Sequence, residues 1–351
     1  MSSSLLNNYV RPATNIKKFS HRIFGGKVEM KFTESQLKLF AAPLSETENR
    51  LCLNAISMIR DALKRLDFTD DNRSITKKYS DIYDYSIQMR SISGSRQIKI
   101  FIQGSYANNT NVRTQSDVDI AIVQEETFQT EYRLGVTDEN YHFSVIPDPP
   151  KIFKDEVQEC LEYKFGTDVE RKNKSIKVHG NTYRKDSDTV PCLRYRNYTR
   201  EFYNNPNDYI GGIVIKADDG TRIINYPEQH IQNGRKKNNE TNTYYKKMVR
   251  IIKKIRNIMD GDYHYSSAKN VSSFGLESLL WNIPNATFMK YPIYRYVFGD
   301  VVNYIYNNMS FLTSYKEANG IKPLCPNTSD VENYKAFIKD LKSFYDYDIT
   351  E

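Results

Sequence analysis

The chain has 351 residues, 39% of them hydrophobic and 26% charged, enough apolar content for a sizeable core and roughly two domains. That balance excludes a disordered polymer, and no run approaches the length of about 18 apolar residues that would span a membrane. The net charge of +7 suits anionic substrates, and the four widely spaced cysteines (Cys52, Cys160, Cys192, Cys325) lack metal-ligand spacing and fit free thiols in a reducing cytoplasm.

Residues 1–40 carry Arg11, Lys17, Lys18, Arg22, Lys27, Lys31 and Lys38 against Glu29 and Glu34, and no apolar signal core lies among residues 1–30. The expectation is a solvated basic arm followed by a first helix. Ser45-Glu46-Thr47-Glu48 then forms a capping box, and Leu51, Ala55, Ile56, Ile59, Leu63 and Leu66 recur at helical spacing, which predicts a helix over 46–66. The polar stretch to about 95 carries no clear pattern.

The most informative stretch is IQGSYANNTNVRTQSDVDIAIV, residues 102–123. Ile98, Ile100 and Ile102 alternate with Lys99, Phe101 and Gln103 in a strand that ends at Gly104-Ser105. A small residue there lets backbone N–H groups approach a phosphate, and a helix starting at Ser105 would add its positive end. Asp117 to Val123 reads as a second strand, with Asp117, Asp119 and Ala121 on one face and Val118, Ile120 and Ile122 in a core. Two carboxylates so placed stand about 7 Å apart at Cα, which brings both within reach of one or two hard divalent cations.

Residues 125–150 read as a loop ending in Pro147-Asp148-Pro149-Pro150, and Ile152 to Leu161 as an amphipathic helix stopping at Gly166. Residues 174–194 look like a hairpin turning at His179-Gly180-Asn181, whose second arm ends or bulges at Pro191. Asp186 and Asp188 share one face of that arm, so either is a candidate third carboxylate. A second hairpin turns at Asp218-Asp219-Gly220.

After residue 226 the chain becomes helical. PEQHIQNGRKKNN is a polar loop or short helix, and Thr243 starts a helix with Tyr245, Met248, Val249, Ile252, Ile255 and Met259 inward, ending at Gly261. Nine Lys/Arg lie between Arg235 and Arg256 against Glu240 alone. Such a face is usually only solvated; beside a triphosphate it becomes a clamp. SSFGLESLLWN, residues 294–308 and a last helix capped by Ser329 or Asp330 complete the chain.

The Gly-Ser turn followed by Ser-Asp-Val-Asp and an apolar strand resembles the signature of polymerase-beta-like nucleotidyltransferases. PEQHIQNGRKKNN, YKKMVRIIKKIRN and SSFGLESLLWNIP narrow the resemblance to the bacterial cGAS/DncV-like nucleotidyltransferases (CD-NTases), from about residue 45 to 345. The resemblance implies an α+β nucleotidyltransferase lobe, a mixed sheet with helices, over 41–230 after the basic arm and first helix of 1–40. A helical lobe follows over 231–351, with the active site in the cleft between lobes that form one unit. It implies Asp117, Asp119 and Asp188 as catalytic ligands of two Mg2+ ions, with Mn2+ as a substitute. Asp188 is preferred to Asp186 because the family places its third carboxylate three residues before a proline. Gly104 and Ser105 would hold the donor triphosphate from one lobe. By analogy with the related animal enzymes, Lys247 and Ser273 would hold it from the other.

The function so implied is synthesis of a cyclic di- or trinucleotide from NTPs, ATP among them, in bacterial anti-phage (CBASS) signalling, by a cytoplasmic monomer whose product activates a downstream effector. Product bases, linkage and any activating ligand stay open. The ending Ile349-Thr350-Glu351 lacks the small terminal residue of members conjugated through their C-terminus, so conjugation is not expected. Three other functions share parts of the pattern. They are a terminal nucleotidyltransferase extending RNA, a small nucleotidyltransferase modifying proteins or antibiotics, and a non-enzymatic nucleotide or RNA sensor.

Overall fold

The computed structural model describes residues 32–71, 86–113, 117–146 and 152–345. Ser116, most of the basic arm and the 147–150 proline stretch lie outside the described residues. The first half of the chain builds one mixed sheet. Its elements are α1 (Glu34–Ala41), α2 (Glu46–Leu63), β1 (Phe68–Asp70), β2 (Ser86–Ser91), β3 (Gln97–Gln103), α3 (Gly104–Ala107) and β4 (Val118–Tyr132). There follow α4 (Phe153–Phe165), β5 (Val169–Arg171), β6 (Ile176–Val178), β7 (Ser187–Tyr198), β8 (Ile210–Lys216) and β9 (Arg222–Asn225). The remainder is helical: α5 (Pro227–Glu240), α6 (Tyr244–Gly261), α7 (Ser266–Lys269), α8 (Ser273–Trp281), α9 (Asn285–Phe288), α10 (Tyr294–Asn307) and α11 (Thr328–Tyr345).

The strands run in the order β1-β2-β3-β4-β7-β6-β5, with β8 also on β7 and β9 outside it. Alternation decides what each face buries. Ile98, Ile100, Ile102, Val118, Ile120 and Ile122 meet Ile56, Ile59 and Leu63 of α2 and Val157 and Leu161 of α4 in one core. The other face carries Phe101, Ala121, Val123, Val190, Cys192 and Ile213. The expected capping box is present: Ser45 Oγ accepts from Glu48 N at 3.3 Å while the Glu48 carboxylate accepts from Ser45 N at 3.0 Å.

Two expectations from the sequence fail here. Residues 125–132 are not loop, because β4 runs on to Tyr132, paired in parallel with Arg194–Tyr198 of β7. The extension leaves the core, so most of its side chains are only half-buried and no apolar alternation marks it. Pro191 does not end its arm either. It pairs with Ile122 on one side, while on the other β6 stops at Thr189 and β8 begins at Leu193. Pro191 thus falls in the gap between two partners, where its missing N–H breaks no ladder.

The helical part has its own core around α6, in which Tyr245, Met248, Val249, Ile252, Ile255 and Met259 are fully buried. Phe32, Leu37 and Ala41 belong to the same core, so α1 packs on α6 and α10 and not on the sheet that follows it in sequence. PEQHIQNGRKKNN forms α5, with Pro227 at a first-turn position, where its missing N–H has no intrahelical partner to lose. No described helix is long and apolar enough to cross a membrane.

Candidate active site at the junction of sheet and helices

Register builds the acidic row. Gln103 of β3 faces Asp119 of β4, Asp119 faces Asp188 of β7, and Asp188 faces Lys177 of β6. Paired residues on neighbouring strands point to one face, so Asp119 and Asp188 are held side by side, with strands about 4.8 Å apart. Asp117 immediately precedes β4.

Gly104 closes the row from above. Its φ is +67°, and a Cβ on it would lie 2.2 Å from Asp119 Oδ2. A side chain there would collide with the carboxylate and strain the backbone, which explains the glycine physically. Gly104 also starts α3, so its N–H and that of Ser105 belong to a helix start and have no acceptor within the helix.

The carboxyls perturb one another. Burial first, then the charges of Asp188 and Asp117, push the Asp119 carboxyl up to about 7, against the opposing charge of Lys253. Burial and Asp117 raise Asp188 in the same way, against Lys177. Asp186 points elsewhere. Its Oδ1 accepts the Gly180 N–H at 2.5 Å and its Oδ2 lies 3.1 Å from Lys177 Nζ. Geometry therefore puts Asp188 beside Asp119 and turns Asp186 toward the hairpin.

The donor set suits a hard divalent cation: only carboxylate oxygens, two on paired strands and one at a strand start, with a glycine leaving room beside them. The three do not close into a ready cage, since no cluster of three or more metal-ligating side chains is found among the described residues. Asp117 Oδ2 is engaged by Lys177 Nζ at 3.0 Å.

From the helical side the structure brings up a lysine that sequence reasoning missed. Lys253 of α6 is 2% exposed, and its ammonium donates to Glu277 Oε2 at 3.0 Å and to Thr110 Oγ1 at 3.2 Å. Thr110 in turn donates to Glu277 Oε2 at 2.7 Å, and its backbone N–H to the Ser105 carbonyl at 2.8 Å. His230 of α5 completes the cluster, with Nε2 2.8 Å from Glu277 Oε1 and from Asn108 Nδ2. Burial alone would raise the Glu277 carboxyl, but the charges of Lys253 and His230 and the hydrogen bonds of His230 and Thr110 outweigh it and hold the group well below its usual range. This buried network ties the turn after α3 to α5, α6 and α8.

Lys247 is not part of it. Its ammonium donates to Thr243 Oγ1 at 3.0 Å and lies 5.1 Å and 5.6 Å from the ring centroids of Tyr244 and Tyr294. Six residues separate Lys247 from Lys253, which at 3.6 per turn is not a whole number of turns. The two therefore face different directions. Ser272 caps α8 by accepting the Gly275 N–H at 2.9 Å, whereas Ser273 Oγ accepts from Arg256 Nη2 at 2.5 Å. Ser273 stands one turn ahead of Glu277 on α8, and Arg256 one turn beyond Lys253 on α6.

Comparison with known proteins agrees with this architecture. Residues 232–346 match the cGAS/DncV-like nucleotidyltransferase C-terminal helical domain, and residues 88–190 match the nucleotidyltransferase domain. A Staphylococcus schleiferi protein named cyclic GMP-AMP synthase CdnE03 is 47% identical over 319 residues, covering 91% of this chain and 98% of its own length. A Cecembia lonarensis protein named cyclic dipyrimidine nucleotide synthase CdnE is 34% identical over 288 residues, 82% of this chain and 88% of its own. The solved Elizabethkingia meningoseptica CdnE cyclic dinucleotide synthase with GTP and Apcpp superposes with a TM-score of 0.67 at 32% identity, covering 90% of this chain and 100% of that one. Domain matches in both halves, and relatives aligned over nearly their whole length, lead to one conclusion: the chain belongs to the cGAS/DncV-like nucleotidyltransferases.

Proposed function

We propose that this chain joins NTPs into a cyclic di- or trinucleotide, with ATP among its substrates, and that the product is a second messenger of anti-phage (CBASS) defence read by a separate effector. The observation that carries the reading is the side-by-side pairing of Asp119 with Asp188 under the Gly104-Ser105 helix start. The names of the relatives from Staphylococcus schleiferi and Cecembia lonarensis support the cyclic product; because those two names differ in their bases, the bases made here are left to measurement.

In this reading Asp117, Asp119 and Asp188 would hold two Mg2+ ions, for which Mn2+ could substitute. The chemistry such ions would supply is a lowered pKa for an attacking ribose hydroxyl and neutralised charge on a leaving pyrophosphate. The protein's own part is positioning. The helix start at Gly104 and Ser105 directs N–H groups at the donor triphosphate. Lys253, held by Glu277 and Thr110, places a buried positive charge from the helical side that acts on Asp119. Ser273, hydrogen-bonded to Arg256 one turn from Lys253 and Glu277, is assigned in this reading to the triphosphate from the helical side. Lys247, bound to Thr243 and its two tyrosine rings, has no part in this scheme. Closing the ring repeats the transfer on the linear intermediate, with pyrophosphate leaving each time, so one set of carboxylates serves every bond of the ring.

The test is incubation with each radiolabelled NTP and Mg2+, followed by phosphatase and mass spectrometry. A phosphatase-resistant small product is expected, and Asp117→Asn with Asp119→Asn should abolish it in a protein that still folds. Elongated RNA, or wild-type turnover in the double variant, overturns the reading.

A further inference from the structure

The acidic row also contains a cation. Lys177 of β6 stands opposite Asp188 in register, so its side chain rises on the catalytic face of the sheet. Its ammonium is 3.0 Å from Asp117 Oδ2 and 3.1 Å from Asp186 Oδ2. Lys177 is therefore shared between a carboxylate of the site and one outside it. The outside carboxylate is fixed: Asp186 Oδ1 accepts the Gly180 N–H at 2.5 Å, and a Cβ on Gly180 would lie 2.6 Å from Asp186 N, so the hairpin is packed tight around it. Asp117 lies ahead of the first residue of β4, outside the strand ladder.

We propose that Lys177 is a tethered counter-ion that competes with a divalent cation for Asp117, and that Asp186 is the acceptor that keeps the ammonium when the cation takes Asp117 away. The inference rests on the metal-dependent reading of the site. An ammonium and a divalent ion on one carboxylate oxygen repel each other, and a partly buried site screens that repulsion weakly. With Asp186 equidistant, Lys177 gives up Asp117 without losing its ion pairing. A lysine suits the task because its point charge on a flexible stem moves between acceptors, whereas a planar guanidinium locks onto one. The device sets the cation concentration at which Asp117 joins Asp119 and Asp188.

Binding of Mn2+ to the full chain, read from the EPR signal of the free ion, tests this without turnover. Lys177→Met should bind Mn2+ about three- to fivefold more tightly than wild type, the scale of a partly exposed ion pair. Asp186→Asn should bind it more weakly, because Lys177 loses its alternative and stays on Asp117. Unchanged or weaker binding in Lys177→Met overturns the proposal. So does unchanged or tighter binding in Asp186→Asn, which decides the matter alone if Lys177→Met does not fold. Wild type that binds no Mn2+ overturns the metal-dependent reading itself, whereas wild type that binds while neither variant shifts as stated removes only the role of Lys177.

Discussion

Replacing Gly104 with alanine separates the geometry of the site from the stability of the fold. The new Cβ would lie 2.2 Å from Asp119 Oδ2. Carbon and oxygen need roughly 3.2 Å, so the carboxylate has to move by about 1 Å or the turn has to open. The residue also has φ +67°, where a side chain costs about 1–2 kcal/mol. Gly94 provides the control. Its φ is +75° and nothing lies within 4 Å of its would-be Cβ, so Gly94→Ala suffers the backbone strain alone. Both variants should melt a few degrees below wild type. Only Gly104→Ala should lose turnover, by about 100-fold, the usual consequence of misplacing a reacting group by 1 Å. Thermal melts and product formation from NTPs with Mg2+ measure the two effects. Equal turnover in the two variants would refute the argument that Gly104 makes room for the Asp119 carboxylate.

Two further outcomes follow from the buried charges. The Asp119 carboxyl sits at about 7 in the folded protein against 3.8 for the free group, so the folded state keeps its proton longer. Without divalent cations, stability should therefore fall as pH rises from about 4 to about 7, by an upper bound of about 4 kcal/mol. Urea melts at pH 5 and pH 8 with a chelator present should show the loss in wild type and a flatter dependence in Asp119→Asn; parallel curves would count against it. Glu277→Gln should destabilise by about 3–5 kcal/mol, because Lys253 is then buried without its counter-charge. A shift below about 1 kcal/mol in urea unfolding would mean that water already screens the pair.

The acidic row was legible because strand alternation is short-range: Val118, Ile120 and Ile122 inward leaves Asp119 outward, whatever the rest of the chain does. The pairing of Asp119 with Asp188 needed only two such strands to lie in parallel. What the sequence concealed depends on distant partners. The continuation of β4 to Tyr132 is stabilised by β7 and not by a core, so it shows no hydrophobic period. Pro191 looks like a strand end until two different strands are seen to share the same edge of β7. Lys253 and Glu277 sit 24 residues apart. A signal for them did exist, since Glu277 is an acid inside the apolar run FGLESLLW, and a buried carboxylate requires a buried cation. Assigning the lysine by helix pattern selected Lys247, which in the structure donates to Thr243 Oγ1, whereas Lys253 is the lysine joined to Glu277 and Thr110.

The placement of α1 bears on how the chain is made. Phe32, Leu37 and Ala41 fill a core whose other members lie between Tyr245 and Tyr345. On the ribosome, α1 therefore waits roughly 200 residues for its partners, while α2 and the sheet assemble behind it. During that interval its apolar side is exposed, and the strap of residues 42–45 has to let it swing back across the finished sheet. Its landing point is charged: Arg250 of α6 donates Nε to the Ala41 carbonyl at 2.5 Å and Nη1 to the Asn109 carbonyl. Seating α1 thus fixes one side of the turn that follows Gly104 and Ser105. The shape of the turn beside the acidic row depends on a helix that precedes the sheet and on a core that follows it.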